Sequence, residues 1–182
     1  AGGVLQEASA AGGEAEALQL LRQCLVLLGI LFSDDDRRDG ISPETFKRAK
    51  EAGTDDRSGL RMLKPLFRAC APACVGESVG CVAELCWAIK CISVNDDICK
   101  QVAKSGGLSQ ALSLFSKHQK DPRVARYACM LLRAVANNDD NKQILCKNDS
   151  GLGLALVLAS VERHLELVEV CEQALAALSN MA

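Results

Sequence analysis

Apolar residues recur at three- and four-residue spacing along most of this chain, which is the pattern of amphipathic α-helices. The spacing predicts a helix from Glu14 to Phe32 and a long helix from Ser78 to Ser93. From there a cycle of short, medium and long helices repeats. Asp121-Pro122 predicts the start of one long helix, because aspartate accepts bonds from free amides and proline fits the first helical position.

The cycle is also visible as an internal sequence repeat. The stretch 83–97 returns in altered form at 126–140, 43 residues later, and further copies begin at Glu172 and, more distantly, at Leu27. Helical repeats of roughly 40–47 residues are typical of stacked solenoids of the HEAT or armadillo kind. We therefore predict an Ala/Gly-rich lead-in at 1–13, flexible or in part helical. A repeat domain at 14–182 follows, made of the third helix of a first repeat (14–32) and repeats at about 43–93, 95–137 and 138–182.

Composition narrows the class of protein. A length of 182 residues favours one domain, and 49% hydrophobic residues with only 3% aromatic ones predict a core of small and medium aliphatic side chains. A net charge of −2 gives no overall electrostatic case for nucleic acid or a membrane surface. Ten cysteines without a secretory segment indicate an intracellular, cytoplasmic or nuclear, protein. The chain lacks an initiator methionine and ends inside a helical pattern, so we interpret it as a piece of a longer protein.

The three-helix cycle resembles the armadillo repeat. Its long helix ends in Trp87-Ala88-Ile89-Lys90-Cys91-Ile92-Ser93, similar to the family's W-A-L-x-N-I-A, and Gly106-Gly107-Leu108 resembles the break before the family's second helix. The resemblance covers roughly residues 15–182. Two segments, 131–140 and 170–178, more narrowly resemble one numbered member of the armadillo repeat-containing proteins. It implies an all-α, right-handed superhelical armadillo-repeat solenoid, non-enzymatic and without a cofactor, whose third helices line a concave groove.

Helical phase suggests which residues face that groove. Leu85, Ala88, Ile89 and Ile92 fall on one side of their helix and predict a buried stripe, with Trp87 opposite. We predict that the opposite faces of successive third helices form one strip that binds an extended segment of a partner protein. Its candidate residues are Glu84, Trp87, Lys90, Cys91, Tyr127, Met130, Arg133, Asn137 and Asn180.

An exposed tryptophan beside basic groups fits a segment of acidic or polar character. Alternatively, Trp87 fills a gap between repeats. Nuclear-import armadillo receptors carry an asparagine four residues after each tryptophan, and here those positions are Cys91, Ala134 and Asn180. Only the last matches, and the basic side chains of the strip would repel a basic signal. Recognition of import signals is therefore not predicted.

A second class of function depends on cysteines that crowd one stretch, Cys70, Cys74, Cys81, Cys86 and Cys91. They make a thiol-based redox or metal-responsive protein the alternative. Their spacings differ from those of a zinc knuckle, so we interpret them as small buried hydrophobes with raised pKa values and predict no metal site. The Asp96-Asp97 and Asp139-Asp140 pairs recur at equivalent loop positions and predict helix caps rather than catalytic carboxylates.

The sequence thus predicts a monomeric, non-enzymatic interaction scaffold. Its partner is another protein rather than nucleic acid or a membrane. A structural spacer within a larger assembly is the third and weaker interpretation.

Overall fold

The computed structural model describes residues 2–32, 78–93, 96–147 and 151–182, with side chains from Gly13 onward except at positions 31 and 97. Within these ranges the chain is helical and forms no strand, so the predicted all-α class is confirmed. The first part of the predicted repeat at 43–93 lies outside the described residues. The helices are α1 (Gly2–Phe32), α2 (Val79–Ile92), α3 (Asp96–Lys104), α4 (Gly107–His118), α5 (Pro122–Val135), α6 (Asp139–Lys147), α7 (Leu152–Arg163) and α8 (Val168–Met181).

Local sequence explains where the long and medium helices begin. Asp121 caps α5 as predicted, because its Oδ1 accepts hydrogen bonds from the backbone N of Arg123 at 2.9 Å and of Val124 at 3.1 Å. Gly106 and Gly151 precede α4 and α7 with φ of +81° and +75°. Glycine adopts this left-handed backbone without the clash of a Cβ atom, so each break follows from its residue type.

Two predictions about helix ends differ from the structure. Helix α1 runs back to Gly2 through the predicted lead-in, where the alanines favour helix without needing an amphipathic pattern. The cap of α6 is Asn138, whose Oδ1 accepts a bond from the backbone N of Asn141 at 3.3 Å. Asp139 and Asp140 instead occupy the first turn of α6, where negative charge favours the positive end of the helix dipole.

The long helices lie side by side in the order α1, α2, α5, α8, and the medium helices α4 and α7 pack beside α5 and α8. The predicted stripes of α2 and α5 are buried in one continuous core, formed by Leu85, Ala88, Ile89, Ile92, Ala128, Leu131, Leu132 and Val135. Helix α2 is buried at almost every position, because α1 covers one flank and α5 the other. This flanking decides which predicted strip residues reach solvent.

Candidate protein-interaction strip

Trp87 is buried between the long helices rather than exposed in a groove. Only 1% of its surface is accessible. Its six-membered ring lies against α1 at Gly29, where an added Cβ would overlap ring atoms, and its ring centroid is 6.3 Å from that of Tyr127 on α5. The prediction of an exposed tryptophan is wrong, and the gap-filling interpretation describes what the structure shows.

Glu84 and Cys91 are also buried rather than exposed in a groove. Both flank Trp87 on the helical wheel, which predicts a place on the strip, yet both are buried. The physical reason is that α1 packs on this side of α2, so the face opposite the amphipathic stripe is an interface as well. Lys90 is half-buried and is the one member of the α2 set that still reaches solvent.

Helix α5 presents an open face. Met130 and Tyr127 are half-buried, while Arg133 and Asn137 just beyond the helix end are exposed. Two further exposed side chains, Arg123 and Arg126, lie on the same face. At about 100° per residue, the five residues Arg123, Arg126, Met130, Arg133 and Asn137 fall within an arc of about 80°. Sequence reasoning missed Arg123 and Arg126, although their spacing of seven and four residues from Met130 was a sufficient signal.

Hydrogen bonds join this face to α8. The Asn180 Nδ2 donates to the backbone oxygen of Arg133 at 3.0 Å and to Asn137 Oδ1 at 2.8 Å. The Arg133 Nη1 approaches Gln173 Oε1 at 3.5 Å. The structure therefore brings together Arg133, Asn137 and Asn180, three of the predicted site residues, and fixes α8 against α5. We call this surface the α5–α8 strip; it comprises Arg123, Arg126, Met130, Arg133, Asn137, Glu169, Glu172, Ala176, Ser179 and Asn180.

Charge is divided sharply along the strip. Every charged residue of α5 is an arginine, and every charged residue of α8 is a glutamate. The Arg126 guanidinium carbon lies 5.8 Å from the centroid of the Tyr127 ring, which holds the charge near the strip through a cation–π contact. The Arg123 Nε lies 3.7 Å from Asp121 Oδ1, its own helix cap.

The described cysteines do not support the redox alternative. Burial raises the pKa of the Cys86 thiol to about 12, and burial likewise raises the pKa of Cys129 to about 12. Burial, with a smaller contribution from the Asp96 carboxylate, raises the pKa of Cys99 to about 11. These thiols stay protonated near neutral pH and are poor nucleophiles. The predicted increase of thiol pKa by burial is confirmed for these three.

The structure describes only part of the predicted cysteine cluster. Cys81 and Cys91 are buried, while Cys70 and Cys74 lie outside the described residues. Among the residues that the structure describes, no group of three or more His, Cys, Asp or Glu side chains is arranged to hold a metal ion. In the same part of the chain no single helix has the length and apolar character to cross a membrane, and α6 with α7 meets both criteria only as a bent pair.

Comparison with known proteins agrees with the repeat pattern. Over 171 residues the chain is 27% identical to the Armadillo repeat-containing protein 6 of Pongo abelii, and 27% identical to that of Homo sapiens. The chain is similar to Armadillo repeat-containing protein 6. The alignment covers 90% of this chain and 32% of each relative, so the chain spans about a third of the length of these curated relatives. No protein-family profile matches the chain, and no solved structure does.

The similarity to Armadillo repeat-containing protein 6 confirms the predicted resemblance, including its narrower form based on 131–140 and 170–178. Together with the helical structure it supports an armadillo-type solenoid. The right-handed superhelix stays a prediction, because neither the relatives nor the described helices establish its hand.

Proposed function

We propose that this protein is a non-enzymatic interaction scaffold that binds an extended segment of a partner protein across the α5–α8 strip. The observation that carries the proposal is the face of α5, where the half-buried side chain of Met130 lies between the exposed side chains of Arg126 and Arg133. An apolar centre framed by arginines has the composition of a protein-binding surface, in which Met and Arg are enriched.

The strip is also held in place before a partner arrives. The two bonds from Asn180 span the boundary between α5 and α8 and restrict their relative movement. A rigid surface loses less conformational entropy on binding, so more of the contact energy appears as affinity. Lys90 and Tyr127 extend the surface toward α2, whereas Glu84, Trp87 and Cys91 contribute packing beneath it.

A matched pair of variants tests the proposal. Peptides of about nine residues, enough to cross three helices at about three extended residues each, are selected from a displayed random library on the wild-type chain. Met130→Asp places a charge at the centre of the strip and should weaken the selected peptides about tenfold or more. Leu158→Asp makes the same kind of change at a leucine of α7 that is 47% exposed, away from the strip, and should leave binding unchanged.

Circular dichroism establishes that both variants keep wild-type helicity before binding is compared. Equal binding by Met130→Asp and the wild-type chain would show that the peptides do not use the strip. Failure to enrich any peptide would favour the structural-spacer interpretation instead.

A further inference from the structure

Equivalent positions of α5 and α8 carry opposite charges. Arg123 and Arg126 occupy the first turns of α5, and 46 residues later Glu169 and Glu172 occupy the matching positions of α8. All four side chains are exposed. Within the described residues no ion pair joins the arginines to the glutamates, and the one ion pair of the set links Arg123 to Asp121 on its own helix. The strip thus carries a positively charged pair on α5 and a negatively charged pair on the neighbouring α8.

The two charged pairs are separated by the distance between two packed helices. Packed helices lie about 8–10 Å apart, and an extended chain advances about 3.3–3.6 Å per residue. A segment that crosses the strip therefore passes from one helix to the next in about three residues. Met130 on α5 and Ala176 on α8 each follow the charged pair of their own helix by four residues, about one turn. The small side chain of Ala176 allows a backbone to approach closely.

We propose, building on the function proposed above, that the partner segment is bipolar: it carries an acidic cluster that lies on α5 and a basic cluster about three residues away that lies on α8. A uniformly acidic segment would meet Glu169 and Glu172, and a uniformly basic one would meet Arg123 and Arg126. Like charges brought together in this way reject the wrong partner, while opposite charges favour the right one and speed its association.

The opposing explanation is that the arginines and glutamates stabilise the fold by attracting each other electrostatically and have no role in recognition. On that explanation, reversing either pair lowers stability in a salt-dependent manner and leaves the preference for ligands unchanged. The two explanations are separable because only recognition changes which peptides are selected.

The experiment repeats the selection with random peptides of about nine residues on three proteins: the wild-type chain, Arg123→Glu/Arg126→Glu, and Glu169→Arg/Glu172→Arg. Wild-type selections should enrich peptides with acidic and basic clusters separated by about three residues. The arginine-reversed variant should enrich basic peptides and the glutamate-reversed variant acidic ones, in either chain direction. Wild-type peptides should bind each reversed variant about tenfold more weakly.

Lys104→Glu/Arg163→Glu reverses two exposed charges outside the strip and should select the wild-type pattern. Peptides with uniform charge, with no charge preference, or with the same pattern on all variants would overturn the bipolar partner and leave the scaffold standing, provided that Met130→Asp still weakens binding. If no selected peptide distinguishes Met130→Asp from the wild-type chain, the scaffold proposal fails and the bipolar partner fails with it.

Discussion

One added methyl group at Gly29 tests whether Trp87 is a packing residue. Gly29→Ala would push a Cβ into the tryptophan ring, whereas Gly13→Ala on the same helix meets no atom within 4 Å. Overpacking a tight contact costs about 1–3 kcal/mol, and replacing a helical glycine by alanine contributes about 0.5–1 kcal/mol of stability. We expect Gly13→Ala to stabilise the protein by about 0.5–1 kcal/mol and Gly29→Ala to destabilise it by about 1–2 kcal/mol.

Removing the Trp87 ring gives an upper limit for the free energy that its packing contributes. A buried tryptophan covers about 150–250 Å², which at about 25 cal/mol per Å² amounts to about 4–6 kcal/mol. Because an unfolded chain already buries part of that area, Trp87→Ala should cost about 3–5 kcal/mol. Trp87→Leu keeps an apolar side chain and relieves the overlap, so Gly29→Ala in that background should become stabilising, like Gly13→Ala.

The assay is urea unfolding followed by far-ultraviolet circular dichroism, with the four proteins of the cycle compared at a common slope. The interaction between Gly29→Ala and Trp87→Leu should be about 1–3 kcal/mol, as for two changes in direct contact. The reasoning is refuted if Gly29→Ala stabilises the wild-type chain as much as Gly13→Ala does. In that case the ring does not lie against α1, and the interpretation of Trp87 as an exposed groove residue would be favoured.

Three further predictions concern a cap, a cross-helix bond and two thiols. Asp121→Ala should lower the free energy of unfolding by about 1 kcal/mol, measured by urea unfolding, because two backbone amides of α5 lose their acceptor. Asn180→Ala should cost about 1 kcal/mol, and Asn137→Ala should add little to it, since the two share one bond; additive losses in a double-mutant cycle would contradict this. Burial raises the pKa of Cys86 and Cys129 from 9.0 to about 12, so their contribution to stability is complete below pH 9 and is lost as pH rises toward 12. Urea midpoints should therefore fall over that window, and less so in Cys86→Ala/Cys129→Ala; equal falls would exclude the thiols as the cause.

Local signals in the sequence predicted most of the fold. The cap at Asp121, the glycine breaks and the three- to four-residue periodicity each depend on neighbouring residues, and the structure follows them within one or two positions. The errors at α1 and α6 are of the same local kind. Helix α1 continues where alanine content replaces amphipathic pattern, and α6 begins one residue earlier than the paired aspartates suggested.

The candidate site was less predictable, because the exposure of a side chain depends on which other helices pack against its own helix. Helical phase separates an apolar face from a mixed face, but it cannot show that α1 covers the mixed face of α2. The helical phase therefore predicts exposure for Trp87, Glu84 and Cys91, and all three are buried. On the mixed face of α5, Arg133 and Asn137 are exposed as expected, and their part in binding stays a prediction.

The close approach of Trp87 to Gly29 and Tyr127 has an optical consequence. Trp87 is the only tryptophan of the chain and Tyr127 the only tyrosine. Fluorescence therefore reports on the boundary where α1, α2 and α5 meet, with tyrosine excitation passing to the indole, while circular dichroism averages over every helix. Because repeats in such arrays contact mainly their neighbours, the two signals change together only when the repeats unfold as one unit. A lag between them would resolve the order in which this protein unfolds, without any added label.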